Sequence, residues 1–237
     1  MVVINLQKQI QSFKKCLKKI ADLLDFVENT EDIFLYALDE TGMRLESKNH
    51  YSWGPKGQPT TIQQNGSRRG LNIIGATEIS KAFNTVTKAY SSEQSLSAQE
   101  IVGFLQELVL SNPDKTLMII WDNARIHTAK IVQDFALLHE ERLHLICQPP
   151  YSPQLNPQEN MWKWLKDTCS QSNAYKNEEE LNVRVTEFFA YVNAHKAEAK
   201  NRVWARSFYK YLYLVFKLFI YMIKPNILIY KSSKQNT

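Results

Sequence analysis

Apolar residues recur along this chain in two rhythms. Between residues 5 and 28 they return every three or four positions (Leu6, Ile10, Phe13, Leu17, Ile20, Leu24) with lysines between them, which predicts an amphipathic helix. Three strands follow: an apolar run over 32–42 that stops at Asp39, and the segments 71–80 and 82–90. Residues 53–59, Trp-Gly-Pro-Lys-Gly-Gln-Pro, are loop by composition. Residues 97–112 predict a helix capped by Ser97, with Glu100 at its third position and Pro113 as its stop. The most apolar strand candidate opens at Thr116 and stops at a second aspartate, Asp122. A helix over 128–140, a strand over 142–148, a helix bearing Glu159 and a further helix from about 178 to 200 complete the pattern. Strands in a run, then alternating with helices, predict an α/β fold: a mixed sheet with helices on its faces.

The approach to the Glu159 helix is unusual. Four of the eight prolines, Pro149, Pro150, Pro153 and Pro157, fall within nine residues, so the connection is stiff and neither helix nor sheet. Asn156 reads as the N-cap and Pro157 as the first helical residue, which puts Glu159 third. On that helix Trp162 and Leu165 read as core, with Trp164 on another face. One reading is structural: Asn-x-x-Glu is close to a capping box, and Glu159 and Lys163 are spaced to pair on the helix surface. Asp39 likewise opens an Asp-Glu-Thr-Gly turn, and Asp122 precedes a helix that it could cap. The other reading treats the three acids as a set. Where neighbouring strands are parallel, residues leaving their carboxyl ends meet at one sheet edge. Three carboxylates converging there repel one another, and a cation relieves the repulsion. All-oxygen ligands favour Mg²⁺ or Mn²⁺ over zinc. Two such ions about 3.5–4 Å apart can activate a nucleophile and stabilise the leaving oxygen in phosphodiester cleavage.

Charge sharpens this picture. Residues 1–20 carry five lysines and no acid, and residues 196–237 carry nine basic residues against one acid. Of the total of +5, that leaves residues 21–195 at −8: an acidic body between two basic ends. Basic arms are suited to nucleic acid, an acidic body to a site that gathers carboxylates around metal. Seven glycines in 237 residues, and no Gly-x-x-x-x-Gly-Lys loop, argue against a nucleotide cofactor. The three cysteines (Cys16, Cys147, Cys169) are scattered and odd in number, as in a reduced intracellular protein, and no signal peptide precedes them. The histidines of His-Glu-Glu-Arg-Leu-His (139–144) are five apart, not four, which removes them from one helical face and from a zinc-protease reading. The aromatic tail over 209–230 has a longest apolar core of 13 residues (211–223) with a lysine inside it, short of the roughly 20 needed to span a membrane.

The Leu-Asp-Glu-Thr-Gly around Asp39, Trp-Gly-Pro-Lys-Gly-Gln at 53–58, Asp-Asn-Ala-Arg-Ile-His at 122–127 and the run from Pro149 to Lys166 resemble the catalytic domain of mariner-like bacterial insertion-sequence transposases. These are DDE-superfamily enzymes, and the resemblance covers roughly residues 10–200. It implies a ribonuclease-H-like fold and the triad Asp39, Asp122 and Glu159 binding two Mg²⁺ or Mn²⁺ ions, with 36 residues between the last two acids. It implies metal-dependent DNA strand cleavage and attack of the freed 3′ hydroxyl on target DNA. Asn123, His127 and Asn156 match the family pattern as residues that orient the ligands; a general acid–base role is the alternative for His127. Lys56, Arg68, Arg69, Lys163 and Lys166 are candidates for DNA phosphates, or else solvated surface. The partners implied are transposon ends and target DNA, with a homodimer also in view, in the cytoplasm at the nucleoid.

Members of this family usually begin with a helix-turn-helix region, and no such pattern precedes Asp39. The expected organisation is therefore a helix over 1–30 left from a linker, a catalytic domain over 31–200, and a basic, aromatic tail over 201–237. Two other functions are weighed: a non-catalytic remnant that binds DNA or a full-length relative and inhibits it, and a ribonuclease-H-like repair nuclease.

Overall fold

Alternation along the first strand decides the architecture. In β1 (Ile33–Arg44), Leu35, Ala37 and Met43 are buried in one apolar cluster, and Tyr36 and Leu38 in another. A strand buried on both faces needs helices on both sides. This computed structural model describes residues 18, 22–46, 56, 67–148, 156–170 and 174–203.

The sheet has five strands in the order β3-β2-β1-β4-β5, with β2 at Gly70–Glu78, β3 at Thr85–Ser91, β4 at Thr116–Trp121 and β5 at Leu143–Cys147. The three sequence-first strands pair antiparallel, and β1/β4 and β4/β5 are parallel. One face is covered by α1 (Ala98–Ser111) and α2 (Lys130–Leu138) through Phe104, Leu105, Leu108 and Val132. The other is covered by α3 (Gln158–Cys169), α4 (Glu178–Ala194) and α5 (Lys196–Val203), together with Leu24 and Val27 from the helical residues 22–28. This is the mixed α/β sheet expected. Among the described residues no helix is long and apolar enough to cross a membrane.

Ser97 and Glu100 form the capping box expected at α1. Other boundaries moved, each for a reason outside the local sequence. β1 does not stop at Asp39: β2 continues alongside it from Asp39↔Gly75 to Arg44↔Gly70, so Asp-Glu-Thr-Gly is strand and not turn. β3 opens at Thr85 and not at 82, because Phe83 sits at φ 58 in a tight turn. That turn is organised by the buried Glu78 carboxylate, which accepts the backbone N–H groups of Ser80 (2.7 Å), Lys81 (2.8 Å) and Phe83 (2.9 Å). The helix expected over 178–200 is two helices broken at His195. Trp164, expected on another face from Trp162, is buried too, edge-on to Phe188 and under the Arg202 guanidinium. The expected helix over 5–28 apart from 18 and 22–28, the 53–59 loop apart from Lys56, Pro149, Pro150 and Pro153, and the tail beyond 203 lie outside the described residues.

Candidate active site

The two aspartates lie level because the parallel pairing of β1 with β4 stops just before them, although β1 itself runs on to Arg44. The β1/β4 ladder runs to Ala37↔Ile120, so Asp39 and Asp122 each lie two residues beyond its last pair. Asp39 shares the α3 face of β1 with Leu35 and Ala37, and Trp162 Nε1 donates to its Oδ2 at 3.1 Å. Asp122 follows Trp121 out of the sheet and is exposed. Its Oδ1 accepts the Ala124 N–H at 2.8 Å and lies 2.8 Å from His127 Nδ1.

Glu159 arrives on the first turn of α3, and that turn is tied to the sheet on either side of it. Asn156 Nδ2 donates to the carbonyl of Leu38 at 2.9 Å, just past the parallel ladder, while its Oδ1 takes the N–H of Gln158 at 3.1 Å. Thr77 in β2 donates to Gln158 Oε1 at 2.7 Å. Pro157 has helical dihedrals and immediately precedes α3, one residue from its expected place inside the helix. Among the described residues Glu159 makes no capping-box bond to Asn156 and no ion pair with Lys163; its carboxylate is exposed. The structural reading of Glu159 therefore loses both its contacts.

The three acids share an electrostatic field. Burial, then the negative charges of Glu159, Glu40 and Asp122, push Asp39 up to about 7 from an ordinary 3.8. Among the described residues, however, no three acidic, histidine or cysteine side chains stand as a closed ligand set. Asp39 is turned to Trp162 and Asp122 to Ala124 and His127, so each aspartate has a donor of its own.

Of the other expected residues, His127 is buried, with Nε2 2.8 Å from Glu40 Oε1 and its ring stacked on Trp121 at 4.4 Å. Burial works against a charge on the ring, but Glu40 and Asp122 outweigh it and raise His127 above the usual histidine value. Asn123 donates to the Gln148 carbonyl, joining the loop after β4 to the end of β5. Lys163 and Lys166 follow Glu159 at four- and seven-residue spacing, so they continue its face of α3. Arg69 is occupied by Glu93 (3.1 Å) and Glu178 (3.5 Å), and Lys56 and Arg68 are exposed without a described contact to the acids. Sequence reasoning missed Glu40, and it took Trp162 for core alone. It also passed over Gly75, the register partner of Asp39, where a Cβ would stand 2.4 Å from Trp162 Cη2. The close approach of the indole explains that glycine.

The sheet order and its two helical layers define a ribonuclease-H-like fold. The crystal structure of the catalytic domain of Mos1 mariner transposase is similar at a TM-score of 0.57 and 14% identity, covering 89% of this chain and 91% of that one. The Mos1 paired-end complex with the left transposon end is similar at a TM-score of 0.62 and 17% identity, covering 89% of this chain and 60% of that one. In sequence, the Insertion element IS630 uncharacterized 39 kDa protein of Shigella sonnei is 25% identical over 156 residues, which are 65% of this chain. The match spans 44% of that relative's length. The DDE superfamily endonuclease family matches residues 34–182, more than half of the chain, and the chain belongs to that family.

Proposed function

We propose that this chain is the catalytic core of a transposase, cutting DNA strands and joining the freed 3′ hydroxyl to target DNA, with Asp39, Asp122 and Glu159 as its metal ligands. The observation that carries the reading is that Asp39 and Asp122 each lie two residues past the last pair of the parallel ladder, with Asp39 buried and Glu159 and Asp122 near enough to raise its carboxyl further. Family membership supports it, as do Mos1 structures described with Mn and with Mg. The donor set fits hard divalent cations: three carboxylates, with both nitrogens of the neighbouring histidine already facing acids. Held there, two such cations supply Lewis-acid activation of the attacking oxygen and neutralise charge on the leaving one.

The chain's own residues position and balance charge. Asn156 and Gln158 fix the first turn of α3, Trp162 holds Asp39, and Lys163 and Lys166 offer cationic contacts to DNA phosphates along the same helix face. Residues 31–200 form the catalytic unit in this reading. DNA is its partner, a second copy of the chain can complete the assembly, and the nucleoid is its place of work.

The test is a Mn²⁺ titration by calorimetry beside a plasmid-nicking assay, on the wild type and on Asp122→Asn. Saturable binding and Mn²⁺-dependent nicking, both lost in the variant, are expected. Binding that Asp122→Asn leaves unchanged overturns the ligand assignment. Binding to DNA without strand cleavage overturns the enzymatic reading and favours a non-catalytic, inhibitory one.

A further inference from the structure

We propose that Glu40 is a positioning residue: acting through His127, it fixes which oxygen of the Asp122 carboxylate is free to meet a cation. The inference rests on the metal-ligand reading above and adds a residue to it.

Alternation in β1 sends Asp39 and Glu40 to opposite faces of the sheet. Asp39 looks toward α3, and Glu40 toward the side covered by α1 and α2. The loop after β4 spans that divide. His127 lies in the turn at 125–128, five residues beyond Asp122, and its side chain is 0% exposed. One ring nitrogen is 2.8 Å from Glu40 Oε1 and the other 2.8 Å from Asp122 Oδ1. The ring lies parallel to the Trp121 indole, at 8°, and its backbone N–H is bonded to the Ala124 carbonyl at 3.0 Å. Held at both nitrogens and on one face, the imidazole has no freedom to turn.

The consequence falls on Asp122. Its side chain is 53% exposed, and such an aspartate ordinarily samples several rotamers. Here Oδ1 lies 2.8 Å from both the Ala124 amide nitrogen and His127 Nδ1, and Nδ1 is also 3.3 Å from the Asp122 backbone carbonyl. Oδ2 is left for a cation. His127 can hold Oδ1 only while its own orientation is fixed, and Glu40 is the acid that fixes the far nitrogen. In metal sites a carboxylate commonly fixes the ring of a histidine ligand; here the fixed histidine backs an aspartate, and the acid behind it stands 82 residues before Asp122 and on the opposite face from Asp39.

The test titrates Mn²⁺ into four full-length proteins by calorimetry: wild type, Glu40→Gln, His127→Gln and the double variant, with thermal unfolding as the check on folding. Glu40→Gln is near-isosteric and is expected to weaken Mn²⁺ binding about 10–100-fold, the range for removing such a partner. His127→Gln is expected to do the same, and the double variant to be no weaker than His127→Gln alone. That non-additivity separates a residue acting through His127 from one that merely stabilises the fold. Should Glu40→Gln fail to fold, Glu40→Asp keeps the charge but falls short of the ring, and the same loss is expected. Wild-type affinity in the folded Glu40 variant, or losses that multiply in the double variant, would overturn the inference while leaving the metal site standing. A wild type that binds no Mn²⁺ removes the site and this inference with it.

Discussion

Replacing Asp39 by asparagine should stabilise the metal-free protein, increasingly as pH rises from about 4 to about 7. Folded Asp39 holds its proton up to about 7, whereas the unfolded chain releases it near 3.8. The folded state therefore binds more protons in that window. The stability this group confers is fully present below about 4 and is lost as pH rises through about 7. The gap corresponds to about 4 kcal/mol at about 1.4 kcal/mol per pH unit. Asp39 is only partly buried, so solvent screening brings the expected cost of ionising it at pH 8 to about 1–3 kcal/mol. Asparagine keeps an oxygen for the Trp162 N–H, so the substitution removes the charge and leaves the bond.

The assay is thermal unfolding in a chelating buffer at pH 4 and pH 8. At pH 4, near the unfolded value of 3.8, the two proteins should melt nearly together. At pH 8 the variant should melt higher, by roughly 2–4 °C for each kcal/mol in a chain of this size. Adding Mn²⁺ at pH 8 should raise the wild type and not the variant, because an ionised Asp39 with a bound cation is no longer penalised. Parallel pH dependence in the two proteins would refute the reasoning: neither burial nor the charges of Glu159, Glu40 and Asp122 would then raise Asp39 in solution.

Three further substitutions probe how the site is held. Gly75→Ala drives a methyl group into the Trp162 indole at 2.4 Å and should destabilise the fold by about 1–3 kcal/mol, read by urea unfolding, with weaker Mn²⁺ binding as Asp39 loses its donor. Asn156→Ala removes both the cap on Gln158 and the donor to Leu38, and should cost about 2–3 kcal/mol in the same assay. Glu78→Gln halves the acceptors available to the Ser80, Lys81 and Phe83 amides; a loss of about 2–3 kcal/mol and faster hydrogen exchange at Phe83 are expected.

The elements were legible where local chemistry decides them. Ser97 and Glu100 announce α1, and Thr116–Trp121 is too apolar to be anything but a buried strand. The placement of Asp39, Asp122 and Glu159 was only partly legible: the end of β4 at Trp121 and the start of α3 are local features, but β1 runs past Asp39. What failed depended on distant partners. β1 passes through Asp-Glu-Thr-Gly because β2, thirty residues on, pairs with it there. Glu40 meets His127 across 87 residues, and nothing near either one points to the other. Trp162 was correctly read as buried, yet periodicity reports which face a side chain takes and not what it finds there.

That distinction bears on Glu159. An exposed glutamate on a helix surface is ordinarily a mobile group, and exposure alone would argue against a demanding role. Its neighbours argue the other way. Asn156 is bonded to β1, Gln158 to β2, and Trp162, one turn later, to Asp39 itself, while the absence of a side chain at Gly75 lets the indole lie against the sheet. Four features of different kinds (a cap, a buried amide, an indole and a missing Cβ) fix the backbone on either side of one carboxylate that itself forms no described ion pair. A helix that needed only to cover the core would be served by its apolar face of Met161, Trp162 and Leu165. The polar ties add position, and position is what a carboxylate needs when its partner is a cation shared with two other acids.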